Sequence, residues 1–338
     1  MFGVDAARGL ALIGMFVAHT VFVRGETIAD GRSAILFATL AGVSLALLTG
    51  GSAPPSPGRR TTPRLVVLVR GAVLIVLGLA LTSFVNPPIA VILDAYGLGF
   101  LILLPVLFVR RTGLAGLTVV FAFVAPPVVS AIATAVPLDS VPAALELAVF
   151  WLVHGPYPVP IWLTFLLAGL LLGRSGLGRR DTALLALVGG TLAAVVGYGA
   201  QLIPGITAVA HSGTTAEVIG SGGVAVAVIG VFSLLDSATG LGERVARPVR
   251  FVLAPLAAAG SMPLTLYTAH AIVLGIVRAT APNGRYIPSE WLLPALIVGA
   301  LLFATLWRRF VGTGPLELGM RALTRLVVRP SSAPRVAP

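Results

Sequence analysis

Six ionisable side chains interrupt the long apolar runs of this chain: Asp5, Arg8, His19, Arg70, Asp94 and His270. In a bilayer such groups are costly, and those retained there mark function by default. Arg8 and His19 are eleven residues apart, which in a helix is three turns plus about 20°, so they share a face and stand roughly 16 Å apart along the axis. Asp5 lies three residues before Arg8, on that face and close enough to pair with it and lower the cost of an arginine at the membrane edge. A neutral histidine oriented by a carboxylate is the usual equipment for deprotonating a hydroxyl or an amine. His19, His270 and Asp94 supply those parts. The same three could in principle ligate a metal, but three ligands on three helices without a close spacing such as HExxH carry little weight, and no metal is expected. The structural alternatives are an arginine that snorkels to water beside a local partner and histidines that hydrogen-bond between helices.

These side chains must be held by membrane-spanning helices. Of the 338 residues 57% are hydrophobic and only 10% charged, with a mean hydropathy of +1.01, whereas a soluble domain has about a quarter of its residues charged. A span needs about 20 mainly apolar residues, and ten stretches qualify: 4–23, 33–50, 65–85, 88–109, 113–136, 158–173, 182–203, 218–235, 251–277 and 290–307. The expected fold is therefore all-α, a polytopic transmembrane helix bundle of about ten spans. Residues 1–328 form one domain, and the Pro/Ser-rich stretch 329–338 is expected to be a disordered cytoplasmic tail. The first apolar run has no small-residue cleavage pattern before Arg24, so it reads as a retained helix and not as a signal peptide. Residues 137–158 are long for a connection and contain Phe150 and Trp151, which suits an interfacial or re-entrant piece. Pro255, Gly260 and Pro263 predict a break in the ninth span around residues 257–263, with a cavity to receive the freed backbone groups.

Arginine content fixes the expected orientation. Seventeen arginines fall in alternate connections and in the tail: 59, 60, 64, 110, 111, 174, 179, 180, 244, 247, 250, 308, 309, 321, 325, 329 and 335. Four (24, 32, 278 and 285) fall in the others. Both termini are thus expected in the cytoplasm, in a multi-pass protein of the inner (plasma) membrane. Arg8 then lies at the inner end of the first helix, while His19, His270, Asp94, His154 and His211 lie at or beyond the outer half. The net charge of +11 is explained by this topology, and no basic patch interleaved with aromatics points to nucleic acid. The absence of cysteine excludes disulfides, thiolate catalysis and zinc–cysteine sites. The Gly220–Gly223 run lacks the context of a dinucleotide site, and serves close helix packing instead.

The opening Gly3-Val4-Asp5-Ala6-Ala7-Arg8-Gly9, with Met15 and His19, resembles that of the heparan-α-glucosaminide N-acetyltransferase-like membrane proteins. The Arg8-to-His19 spacing resembles the broader transmembrane acyltransferase superfamily. Ala41-Gly42-Val43-Ser44-Leu45, Arg70-Gly71, Ile92-Leu93-Asp94 with Tyr96-Gly97, Gly155-Pro156-Tyr157-Pro158 leading to Trp162, Ala168-Gly169, Gly173-Arg174, Gly260 to Tyr267 and Gly314-Pro315-Leu316-Glu317 extend the resemblance over nearly the whole chain. It implies transfer of an acyl group, usually acetyl, from cytoplasmic acyl-CoA to a sugar or lipid-linked glycan on the far side. Arg8 and Arg70 would bind the CoA phosphates and His19 would be the base. Asp94 would orient His19 or His270 would share its task, with Asp5, His154, Tyr157 and Tyr267 as accompanying residues. An acyl-histidine intermediate is the rival mechanism. Lysosomal-type members carry a functional histidine in the following lumenal loop, whereas the loop from Arg24 to Arg32 has none. A transporter or flippase for a lipid or small polar solute is the alternative function. The expected partners are the bilayer, the glycan acceptor and a second copy in a homodimer.

Overall fold

The computed structural model describes residues 1–22, 25–236 and 242–328. Arg24, Arg329, Arg335 and the tail expected to be disordered lie outside the described residues. The chain is all-α, 76% helical, and has no strand among the described residues. Its helices are α1 (Phe2–Thr20), α2 (Arg32–Leu48), α3 (Thr61–Ala80), α4 (Leu93–Ile102), α5 (Arg111–Ala135), α6 (Ala143–Val149), α7 (Val159–Ser175), α8 (Arg180–Gly199), α9 (Thr215–Ser233), α10 (Glu243–Val252), α11 (Ala254–Gly260), α12 (Pro263–Thr280), α13 (Leu292–Phe310) and α14 (Pro315–Val327).

Six of these, alone or with a short helical extension, are long and apolar enough to cross a membrane: α1, α3, α5, α8, α9 and α13. Two bent pairs pass the same test, α6 with α7 at 54° and α11 with α12 at 83°. The outer faces are apolar, as a lipid solvent requires. Val119 and Phe123 on α5, Leu185 and Val195 on α8, and Leu306 and Phe310 on α13 are all exposed, and of α13 only Ala304 is buried. This is the surface of a membrane protein.

Six to eight of the ten expected spans are long enough to cross; the stretch 33–50 is the 17-residue α2, shorter than a full span, and the stretch 88–109 departs further. In place of a span over 88–109 there is the ten-residue α4, about 15 Å long at 1.5 Å per residue, half of a bilayer core. Pro87 and Pro88 before it and Pro105 after it remove backbone donors and stop the helix on both sides. The 137–158 stretch is helical: α6 and a π turn, Phe150–His154, lead into α7 through the bend. The break in the ninth span falls between Gly260 and Pro263, where it was expected.

Small residues let the helices touch backbone to backbone. A Cβ on Gly169 would stand 1.8 Å from the Thr39 carbonyl oxygen and one on Gly42 2.1 Å from that of Leu166, so α2 and α7 cross without side chains between them. Gly223 does the same for α8 and α9, 2.4 Å from the Ala194 nitrogen.

Arginines distant in sequence converge at the end of the bundle where α1 begins. Arg60, Arg64 and Arg174 stand over the Phe108 ring, 5.0, 5.4 and 5.7 Å from its centroid. The buried Arg174 donates to the Gly51, Thr49 and Leu107 carbonyls at 2.6, 3.1 and 2.9 Å, closing the C-terminus of α2, whose last carbonyls have no partner within the helix. At the opposite end Arg32 bonds Tyr198 and Arg278 bonds Asn86.

Candidate functional site

Helix α1 carries both halves of the candidate site. Near its start, Arg8 is fixed by three bonds: to Asp5 Oδ1 at 2.9 Å, to the Gly260 carbonyl at 2.8 Å and to Ser44 Oγ at 3.0 Å. The pairing with Asp5 is the one the three-residue spacing predicts. The Gly260 carbonyl is the one freed where α11 ends, so the cation occupies the negative end of a broken helix. This contact needs glycine, because a Cβ at 260 would lie 1.7 Å from the Asp5 carbonyl oxygen.

Arg8 borders a cavity of about 420 Å³ together with Arg70, Arg321, Ser44, Ser261 and Glu317. Its deeper wall is apolar and aromatic, with Phe37, Leu93, Tyr96, Phe100 and Tyr267. Arg70 differs from Arg8 in having no hydrogen bond among the described residues, and its Nε is buried. Glu317 is held in the opposite way. Its Oε1 accepts from the Leu264 and Thr265 backbone N–H groups at 2.7 and 3.2 Å, and its Oε2 from the Thr265 hydroxyl at 2.6 Å. The carboxylate thus caps α12 across the fold, where the helix dipole favours negative charge, and docks α14 onto the cavity rim. Arg321, one turn further along α14, donates to Thr313 Oγ1. Neither Glu317 nor Arg321 was assigned a role from sequence, although Glu317 is the one acid among the six arginines of the last thirty-one residues and sits in the Gly-Pro-Leu-Glu run.

At the far end of α1, His19 meets His270 of α12. The rings stack with centroids 5.1 Å apart and planes 6° apart, and His19 Nδ1 lies 3.3 Å from His270 Nε2. One of these nitrogens donates, and which one depends on the tautomers. His270 is buried, its other nitrogen, Nδ1, has no partner among the described residues, and Phe16 and Tyr267 pack on its ring at 4.7 and 6.2 Å. His19 is half-buried, so it is the more accessible member. Tyr286 donates to the His19 carbonyl at 3.0 Å, which fixes the end of α1; burial pushes this tyrosine, in the connection after α12, up to about 12.

Asp94 is not the carboxylate partner of a histidine. Its Oδ2 accepts from the Trp151 indole at 2.8 Å and its Oδ1 from the Ala95 backbone at 2.9 Å. The acid belongs to the junction of α4 with the π turn after α6, and among the described residues no group of three potential ligands could hold a metal. His154 is likewise engaged elsewhere, 2.8 Å from the Val136 carbonyl. Tyr157 donates to the Ala90 carbonyl at 3.4 Å and stands edge-on to Trp162 and His211, at 4.9 and 5.9 Å. Tyr267 lies between the two halves of the site. It lines the Arg8 cavity, stands one turn before His270, and accepts the Ile92 N–H through its hydroxyl at 3.2 Å. Neither histidine lines that cavity.

Residues 172–327 match the model of a family described only as a protein of unknown function, DUF418. The match runs from the last turns of α7 through α14, so it includes His270, Tyr267 and Glu317 and leaves out Arg8 and His19. No curated protein matches the chain.

Proposed function

We propose that the chain is a membrane-embedded acyltransferase that moves an acyl group, acetyl being the first candidate, from cytoplasmic acyl-CoA to a sugar or lipid-linked glycan on the other side. The observation that carries this reading is the pairing, on one helix, of a cation at the mouth of a cavity with a histidine of a stacked pair about 16 Å further along. The heparan-α-glucosaminide N-acetyltransferase-like resemblance of the first helix supports it. The seventeen-to-four arginine imbalance supports a cytoplasmic Arg8 end in a protein of the inner membrane. The two shorter helices, α2 and α4, bring the crossings to ten, α4 crossing only part of the bilayer as helix.

In this reading Arg8, Arg70 and Arg321 receive the phosphates of the donor, arginine being suited to them by its planar fork of N–H donors. Arg70 has no hydrogen-bond partner among the described residues to surrender. The cavity accepts the phosphate end of the pantetheine arm, and movement of the Tyr267 ring off Ile92 opens the way toward the histidines. His19 Nδ1–H donates to His270 Nε2, which leaves His19 Nε2 unprotonated. That nitrogen takes the proton of the acceptor hydroxyl or amine as the acceptor attacks the thioester carbonyl. The C–S bond breaks, and the imidazolium returns its proton to the departing thiolate. His270 fills the orienting role that Asp94 does not, and stabilises the imidazolium as it forms.

Purified protein should bind acetyl-CoA and acetylate a glycan acceptor. Arg8→Ala should lose binding, and His19→Ala should keep binding and lose transfer. Protein that binds acetyl-CoA at no concentration rules the reading out. The 83° break between α11 and α12 favours one other function, a transporter of a lipid or polar solute. Solute flux in liposomes without any acyl donor would support that one instead.

A further inference from the structure

A second cavity, of about 280 Å³, lies at the histidine end of the bundle, between the later half of α5, the start of α7 and the loop before α9. Its walls include Phe165, Pro126 and Val129, and three side chains with polar atoms that no protein group satisfies. These are Trp162, Ser130 and His211. Trp162 is only 6% exposed, and its ring is fixed by edge contacts with Tyr157 and Phe165 at 4.9 and 5.4 Å. Yet its indole N–H has no hydrogen bond among the described residues, whereas a buried indole N–H ordinarily finds a partner. The Ser130 hydroxyl and the His211 ring nitrogens have none there either, on two residues that are exposed.

The loop that presents His211 is built with care. His211 has a φ of +61°, a left-handed conformation that a residue other than glycine holds only where its surroundings impose it. Here Glu217, 5% exposed, imposes it. Its carboxylate accepts the His211 and Gly213 N–H groups at 2.6 and 2.7 Å and the Ser212 hydroxyl at 3.2 Å. The Glu217 N–H in turn bonds Thr214 Oγ1 at 3.1 Å, the N-cap bond at the start of α9.

These features define the ligand by exclusion. A lipid tail would leave the buried indole N–H without a partner and shut the exposed hydroxyl and imidazole away from water, which is costly. A cation would find the Glu217 oxygens already taken by three donors. An anion would find no arginine on the walls. We propose that this cavity binds a neutral hydroxylated ring the size of one sugar unit, packed on Trp162 and hydrogen-bonded by the Trp162 indole, His211 and Ser130. The volume is near the lower bound of ordinary small-ligand sites. Its catalytic meaning, as the acceptor site, rests on the acyltransferase reading; the binding does not.

The test uses the full chain in lipid nanodiscs, free of sugar-headed detergent, and saturation-transfer NMR without any acyl donor. The probes are methyl β-glucoside and N-acetylglucosamine, with glucuronate and a medium-chain alkanol for comparison. The neutral sugars should receive saturation. Trp162→Phe, which keeps the ring and removes the donor, should weaken them about ten-fold, as loss of one hydrogen bond does, and His211→Ala should weaken them too. Binding unchanged in both variants, no binding of either neutral sugar, or preference for the alkanol would each overturn the proposal. Acetyl transfer that persists without sugar binding here would remove this site and leave the acyltransferase standing. Sugar binding by a protein that never binds acetyl-CoA would do the reverse.

Discussion

The two ends of α1 treat polar groups in opposite ways. At the Arg8 end charge is abundant and tied down: Arg8 by Asp5 and Gly260, Arg174 by the α2 carbonyls, Glu317 by the start of α12. Among the described residues, Arg70 alone of the cavity's three arginines is left without a hydrogen-bond partner. At the His19 end the central groups are two imidazoles bonded to each other. Fixed cations suit the holding of an anion, and a pair of hydrogen-bonded imidazoles suits the passage of a proton. In the acyltransferase reading, one helix thus joins a binding region to a reactive one.

The sharpest way to break this contrast is at the histidines. His19→Ala should lower acetyl transfer by about 10²–10⁴-fold, the usual worth of a general base, with acetyl-CoA affinity unchanged in a direct binding measurement. His270→Ala should cost less, about ten-fold or more, since it removes an orienting partner and leaves the base. Equal losses would mean that the two rings act as one unit, and a larger loss for His270→Ala that the assignment is reversed. The arginines come next. Loss of a charge-assisted contact is worth about 1.5–3 kcal/mol, so Arg8→Ala and Arg70→Ala should each weaken acetyl-CoA binding by about ten-fold or more. Only Arg8→Ala should also lower the melting temperature, because only Arg8 holds Asp5, Ser44 and the end of α11 together. A fall in stability with Arg70→Ala would show that it, too, serves the scaffold. Trp151→Phe should leave transfer intact and destabilise the protein by about 1–3 kcal/mol, the cost of a buried acceptor left unpaired, if Asp94 belongs to the scaffold. The smallest effect concerns Tyr286. Its hydroxyl holds its proton to about 12 in the folded protein against 10 ordinarily, so the unfolded chain releases that proton first as pH rises. Stability should therefore fall as pH climbs from 10 toward 12, and Tyr286→Phe should flatten part of that fall in a melting series.

Much of this organisation is legible in the sequence because hydropathy and arginine content report depth in a membrane. Depth placed Arg8 at one end and both histidines near the other, and the geometry of α1, α11 and α12 agrees: the Arg8–Asp5 pair, the break after Gly260 and the His19–His270 contact are all present. Lateral position is not written in depth. Asp94 stands at a level that a histidine could share, but its helix packs on α3, and Trp151 of the π turn takes its carboxylate. Glu317 and Arg321 were counted as part of a cytoplasmic tail, since nothing in a short amphipathic segment announces that it folds back under α12. The fourth span failed for a local reason: the proline pair at 87–88 and Pro105 interrupt an apolar stretch that composition alone reads as continuous.

The central claim is that α1 connects a donor site on one face of the membrane to chemistry at the other. It is tested most directly in proteoliposomes of known orientation, with labelled acetyl-CoA added only on the side that exposes α14 and a glycan acceptor enclosed on the opposite side. Label should appear on the enclosed glycan, and should vanish with His19→Ala although acetyl-CoA still binds. Label transferred only to acceptor on the donor's own side, or transfer undiminished in His19→Ala, would contradict the account.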